Sequence, residues 1–360
     1  MKRIVLLVAV VASVAVSGQQ GAPVPAIAFQ SVANFIKMPP DVYLGEIAGV
    51  ATNSKGQIYV YSRTGSPGPV AGMRSAQLFE FDRSGKYVRE IGQNLYSRAW
   101  AHSVRVDRDD NIWIVDEGAH TVVKLDPQGR VLLVLGRRAE AVDGFPPSSP
   151  AKPGVVPPAR DGQFNRPTDI AFDSQGNVYI SDGYANSRVA KYNRDGEWVK
   201  SWGERGSGPG QFILPHSIAT DGKDNVYVAD RSNNRIQVFD ANGTFVRQIG
   251  ADVLPPTPPG FRHTIAFFGM TPQGTYTSLF PNTLCISPTQ HLYAADMMPG
   301  RIYKMTLEGK VLGTIGIGGP KLGQFAWIHG LACPSDTELY VGELLNWRVQ
   351  KLEIRPSASN

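Results

Sequence analysis

Apolar and polar positions alternate along this chain in short runs that recur in sets of four. The clearest set lies between Pro167 and Gly203. It holds Ile170-Ala-Phe172, Val178-Tyr-Ile180, Arg188-Val-Ala-Lys-Tyr192 and Trp198-Val-Lys-Ser-Trp202, with Gly176-Asn177 and Asp195-Gly196 between runs. Short runs rich in β-branched and aromatic residues, punctuated by Gly and Asn/Asp turns, predict antiparallel strands joined by hairpins. The stretch from Pro215 to Gly250 repeats every landmark: Asn225-Val-Tyr-Val-Ala-Asp230, Arg235-Ile-Gln-Val-Phe239, Asn242-Gly243 and Phe245-Val-Arg-Gln-Ile249. No stretch carries a convincing helical period.

Four weaker copies fill the rest, centred on Ile58–Ser62, Asn111–Asp116, His291–Asp296 and Leu339–Glu343. Four-stranded units of about 40–50 residues point to a β-propeller. Six copies predict an all-β, six-bladed ring of four-stranded antiparallel blades over residues 41–355. The sixth copy lacks its outermost strand, and the N-terminal segment 19–40, near Gln30 to Lys37, is expected to supply it. Closure of that kind removes exposed sheet edges. Two insertions, at 137–166 and 251–281, join blades on one face. They are rich in Pro and Gly, the second carries Phe261, His263, Phe267 and Phe268, and a lid over the channel mouth is expected from them.

The opening residues stand apart from this pattern. Lys2 and Arg3 precede an apolar run from Ile4 to Val16, followed by Ser17-Gly18. Residues 1–18 therefore read as a secretory signal peptide, too short to be a comfortable membrane span. A soluble, monomeric, secreted or periplasmic protein is expected. Without Lys2 and Arg3 the formal charge falls from +5 to +3. That is too mild to indicate nucleic acid, and no basic run with interleaved aromatics is present. The two cysteines, Cys285 and Cys333, fall at registers one residue apart on neighbouring strands. Side-chain alternation would then point them to opposite faces, and two free thiols are expected.

Three of the six histidines share one place in the repeat, in alternate copies. His102, His216 and His329 each open the first strand of a blade, while Ala48, Thr168 and Asn282 hold that register in the others. First strands line the channel, and alternate blades of six lie about 120° apart. Three neutral imidazoles so placed can bind Zn²⁺ and leave a fourth position open, as a catalytic zinc needs. Water- or backbone-bound channel histidines are the plainer alternative. Arg63 and Arg231 share another register, just after the second strand, and Tyr184 lies one residue further in the third copy. Guanidinium forks suit carboxylates, and a phenol near a metal and arginines can ionise more easily and act as a base. Taken singly, such arginines are more often solvated loop residues. The recurring Asp116, Asp182, Asp230 and Asp296 read as loop-bonding strand ends rather than catalytic acids.

Several of these segments also resemble a known family. They are Pro167-Thr-Asp169, Ser181-Asp-Gly-Tyr-Ala-Asn-Ser-Arg-Val189, Gly210-Gln-Phe-Ile-Leu-Pro-His-Ser217 and Val228-Ala-Asp-Arg231 with Arg235-Ile-Gln237. They resemble the NHL-repeat propellers, and within them peptidyl-α-hydroxyglycine α-amidating lyase. Weaker matches run from Leu44 to Leu352. The resemblance implies a six-bladed propeller with axial zinc held by His102, His216 and His329. It implies Tyr184 as the base, Arg231 as the substrate-binding arginine and Arg63 as a second active-site arginine. The implied reaction splits a carbinolamide N–C bond of a small carboxylate-ended amide or peptide, giving an amide and glyoxylate. The family also holds a structural Ca²⁺, whose backbone-ligand positions match Val50 and Val104. Three departures stand out. Gly330 replaces the Asp that follows the last zinc histidine, Ala185 replaces the Cys after the tyrosine, and Arg98-Ala-Trp-Ala101 precedes His102 where Leu-Pro is expected. A stand-alone lyase would need a partner enzyme to hydroxylate its substrate, or a different carbinolamide or ureidoglycolate-like substrate. The other readings are a non-catalytic propeller binding a protein, peptide or glycan, and a lactonase-like hydrolase. The histidine-lined axis argues against the last.

Overall fold

In a computed structural model the chain is described for residues 24–64, 76–93, 95, 98–137, 159–255, 280–297 and 299–355. The signal segment and most of both insertions, with Phe261, His263, Phe267 and Phe268, lie outside the described residues. So does the expected lid, apart from its ends.

Six four-stranded antiparallel sheets follow one another along the chain. Their innermost strands are Glu46–Thr52, Ala101–Val106, Asp169–Phe172, Pro215–Thr220, Thr283–Ile286 and Ile328–Ser335. Each packs beside the next, and the sixth packs beside the first, so the ring is closed. The predicted six-bladed propeller is the observed fold. Six buried apolar clusters occupy the described core, one at each seam. Tyr59, Tyr61, Ile112 and Val123 fill the first seam, and Ile47, Phe79, Ala332 and Tyr340 fill the last. Alternation within each strand thus serves two seams at once, one face to each neighbouring blade.

The sixth blade is completed from the other end of the chain. Phe29–Ser31 pairs with Arg348–Ile354, Phe29 opposite Ile354 and Ser31 opposite Leu352. The strand is shorter than the Gln30–Lys37 stretch expected and starts one residue earlier. Beyond it Phe35 stacks on Tyr340, and the Lys37 amide bonds to the Gly85 carbonyl, tying the segment to blade one.

The recurring strand-end acids bond to loops. Asp116 accepts from the amides of Trp100 and Ala119, and Asp230 from that of Ile213 and from Arg235. The cysteine expectation is corrected. Cys285 and Cys333 form a disulfide, with Cα atoms 6.1 Å apart, an ordinary separation for a bridge. Neighbouring blades meet by opposite faces, so registers one residue apart bring the two side chains together rather than apart. Cys285, Leu331 and Cys333 share the seam between blades five and six, while Ala332 faces the seam with blade one.

Candidate metal centre

A β-bulge opens four of the innermost strands. The ladder skips Ala48, His102, His216 and His329, because their neighbours on either side pair while they do not. In the other two blades Thr168 and Asn282 sit just ahead of the strand. A bulged residue is freed from the pleat and can be re-aimed. Here it is aimed at the axis, where His102, His216 and His329 meet, all buried.

Their ring centroids are 4.7–5.0 Å apart, and one ring nitrogen from each lies within 4.8 Å of the others. Each histidine uses Nδ1 on a backbone carbonyl of the following blade. His102 donates to Thr168 O at 2.6 Å, His216 to Asn282 O at 2.7 Å and His329 to Ala48 O at 2.7 Å. This fixes the tautomer and leaves Nε2 as a lone pair facing the axis. Burial, the companion imidazoles and the nearby arginines keep the rings neutral. His102 and His216 fall well below the usual imidazole value, and His329 falls to about 3. Three neutral, oriented imidazoles suit a divalent metal of the zinc class.

The remaining seams continue the same belt. The Thr168 hydroxyl lies 2.8 Å from Pro215 O, Asn282 Nδ2 donates to Ile328 O at 2.6 Å, and Arg63 Nε donates to Ala101 O at 2.8 Å. Every junction between neighbouring blades therefore carries one side-chain-to-backbone contact at the level of the histidines.

Arg63, Arg231 and Tyr184 surround the open side of the trio. The Tyr184 hydroxyl is 3.3 Å from both His102 Nε2 and His216 Nε2, so it donates to one or the other. Its pKa is raised among these residues. Burial outweighs the downward pull of Arg231, and Glu117 adds to the rise. Among the described residues the Arg231 side chain makes one long bond, 3.4 Å to Asn282 Oδ1. Arg63 is held harder, by Ala101 O, by Glu46 at 3.2 Å and by the Trp100 ring 4.3 Å away.

Two residues of this mouth escaped the sequence reading. The buried Glu117 places Oε2 3.9 Å from His102 Nε2 and accepts Arg166 Nε on Oε1 at 2.8 Å. The Arg166 guanidinium in turn lies 4.5 Å over the Tyr184 ring. Glu117 shares the register of Arg63 and Arg231, since Ala101 pairs with Asp116 as Ile47 does with Ser62. Counting that position through all six copies would have found it.

Calcium does not fit. A Cβ on Gly330 would lie 2.8 Å from Val50 N and 2.9 Å from Gly49 Cα, both backbone atoms, so no carboxylate can stand there. Val50 and Val104 do line the channel, but the Arg105 guanidinium reaches into it.

Comparison with known proteins agrees with this fold. The NHL repeat family matches residues 164–192 and 212–239. The chain is 34% identical over 192 residues to "Peptidylglycine alpha-amidating monooxygenase" of Rattus norvegicus, covering 47% of this chain and 18% of that protein. It is 28% identical over 291 residues to "Peptidyl-alpha-hydroxyglycine alpha-amidating lyase 1" of Drosophila melanogaster, covering 76% of this chain and 48% of that one. The chain thus matches about a fifth of the first relative's length and about half of the second's. Among solved structures, "Streptogramin B lyase structure" superposes with a TM-score of 0.53 at 12% identity, over 91% of this chain and 98% of that one. That likeness shows the fold alone.

Proposed function

We propose that this NHL-repeat propeller is a metal-dependent carbon–nitrogen lyase. Its substrate class is a carboxylate-ended carbinolamide of the peptidyl-α-hydroxyglycine type, and its products are an amide and glyoxylate. One observation carries the reading: three buried, neutral histidines present Nε2 to a common point whose open side is bounded by two arginines and a tyrosine. The named amidating relatives support it.

The residues divide the work by how firmly each is held. Arg63 is fixed by three contacts and serves as a standing positive charge. Arg231, with a single long bond to Asn282 among the described residues, is held loosely enough to turn its fork onto a substrate carboxylate. A zinc ion on the three Nε2 atoms would supply Lewis acidity to the substrate hydroxyl and lower the pKa of the phenol beside it. With its phenol ionised, the Tyr184 oxygen, 3.3 Å from two of the Nε2 atoms, is placed to take the proton of a hydroxyl held beside them and to pass it to the leaving nitrogen. The O–H pair becomes the second C–O bond of the aldehyde, the C–N pair leaves on nitrogen, and nitrogen gains a proton. Atoms and electrons balance with no co-reactant. Arg166, held by Glu117, fixes the plane of the Tyr184 ring.

Export through the apolar leader belongs to the same proposal, and the disulfide supports it, since such bonds persist in oxidising compartments. The test is metal analysis of the purified protein joined to glyoxylate release from a hydroxyglycine-extended peptide. Bound zinc with glyoxylate, both lost in His216→Ala, is the expected result. Zinc-free protein releasing no glyoxylate would overturn the reading in favour of a non-catalytic binding propeller.

A further inference from the structure

The channel below the histidines is closed by one side chain. Arg105, three residues after His102 on the same strand, sends its guanidinium across the axis. Nε and Nη2 donate to Asp169 Oδ1 and Oδ2 at 3.0 and 2.6 Å, Nη1 to Leu331 O at 2.9 Å, and Nη2 again to Leu284 O at 3.2 Å. One fork from blade two thus grips blades three, five and six. Asp169 reaches further. It accepts the hydroxyl of Ser103 at 2.5 Å, that of Ser217 at 2.7 Å and the Ile218 amide at 3.3 Å, which adds blade four.

The atoms that meet the guanidinium are two carboxylate oxygens and two backbone carbonyls, with two hydroxyls directly behind. That is a hard-oxygen donor set of the kind that holds a divalent cation. The neighbouring position that would complete a metal shell, Gly330, has no room for a side chain. We propose that Arg105 is a resident cation: the chain's own guanidinium fills the axial oxygen cage in place of a metal ion and holds the histidine-bearing strands in register without calcium. Arg105 is then a positioning residue. It touches no substrate, and its role stands whether or not the mouth above is an active site.

The proposal sets this cage apart from an ordinary buried ion pair, because emptying it should create a calcium site. Purified wild type and Arg105→Ala are melted with and without millimolar calcium chloride, and cobalt is titrated into each while its d–d absorption is followed. Wild type should melt at one temperature in both buffers. Arg105→Ala should melt lower and bind cobalt at least tenfold more weakly, and calcium should restore both. The double variant Arg105→Ala/Asp169→Asn should show no calcium response. Arg105→Lys keeps a compact charge in the cage and covers the case in which the alanine variant fails to fold. It should fold, melt below wild type and ignore calcium. A wild-type melting point that rises with calcium would overturn the proposal. So would a folded alanine variant indifferent to calcium, or a lysine variant that responds to it.

Discussion

Arg231 and Glu117 are the residues whose roles are easiest to separate. Among the described residues the Arg231 side chain makes one long contact, so its removal should cost substrate binding rather than the chemical step. A charge-assisted pair contributes about 1.5–3 kcal/mol. Arg231→Ala should therefore raise KM for a carboxylate-ended substrate about 10- to 100-fold with kcat nearly kept, as steady-state kinetics would show. Glu117 instead faces His102. Glu117→Gln removes a negative charge beside the metal position while keeping the shape. It should weaken cobalt binding about tenfold, within the roughly 1–4 kcal/mol by which a nearby opposite charge attracts a cation at a partly solvated site, and an unchanged titration would place Glu117 outside the centre. At this scale the histidines were legible because they recur at one register. Glu117 was not, because a carboxylate in one copy breaks the arginine pattern that Arg63 and Arg231 make at that register. Arg166 carries no repeat signal, since only folding brings it over Tyr184.

The strands were legible because turn residues mark each hairpin and alternation marks each face. What alternation cannot show is its own interruption. Bulges at Ala48, His102, His216 and His329 aim the site. Nor does alternation along one strand show that opposite faces of neighbouring blades meet, which is what brings Cys333 to Cys285. The disulfide joins the innermost strands of blades five and six and closes a loop of 48 residues. Its loss in Cys285→Ser should cost about 2–4 kcal/mol, seen as an earlier urea midpoint, and wild type treated with a reductant should match the variant. A variant as stable as wild type would show that the seam does not depend on the bridge.

Across the whole molecule the blades are also tied on the face opposite the histidines, where acid sensitivity is expected. Asp336 of blade six accepts from His291 at 2.6 Å and Lys304 at 3.1 Å, both of blade five. Burial alone would raise its pKa, but the hydroxyls of Ser287 and Thr289 and the Lys304 ammonium hold it below the usual range. A depressed carboxyl stabilises the fold above its unfolded pKa, near 4, and loses that contribution as pH falls through the folded value. The stability gap between wild type and Asp336→Asn should be widest above about pH 4 and narrow on further acidification, as urea melts at several pH values would show. Ring closure was legible from the missing strand of the last copy. The calcium mismatch was half legible, because Gly330 was visible but the backbone behind it and the reach of Arg105 were not.

The belt of contacts at the histidine level has one more consequence. Each tie joins a blade to its neighbour in space, and none depends on where the polypeptide starts. The Arg355 amide already bonds to Ala28 O at 2.9 Å, so the two ends of the described chain lie side by side. A circular permutant that links these ends and opens the exposed Asp195-Gly196 hairpin would give blade three a fourth strand from the opposite terminus, as blade six has now. It should bind cobalt with the spectrum and affinity of the parent, because the three histidines belong to the ring and not to the order in which its blades are made.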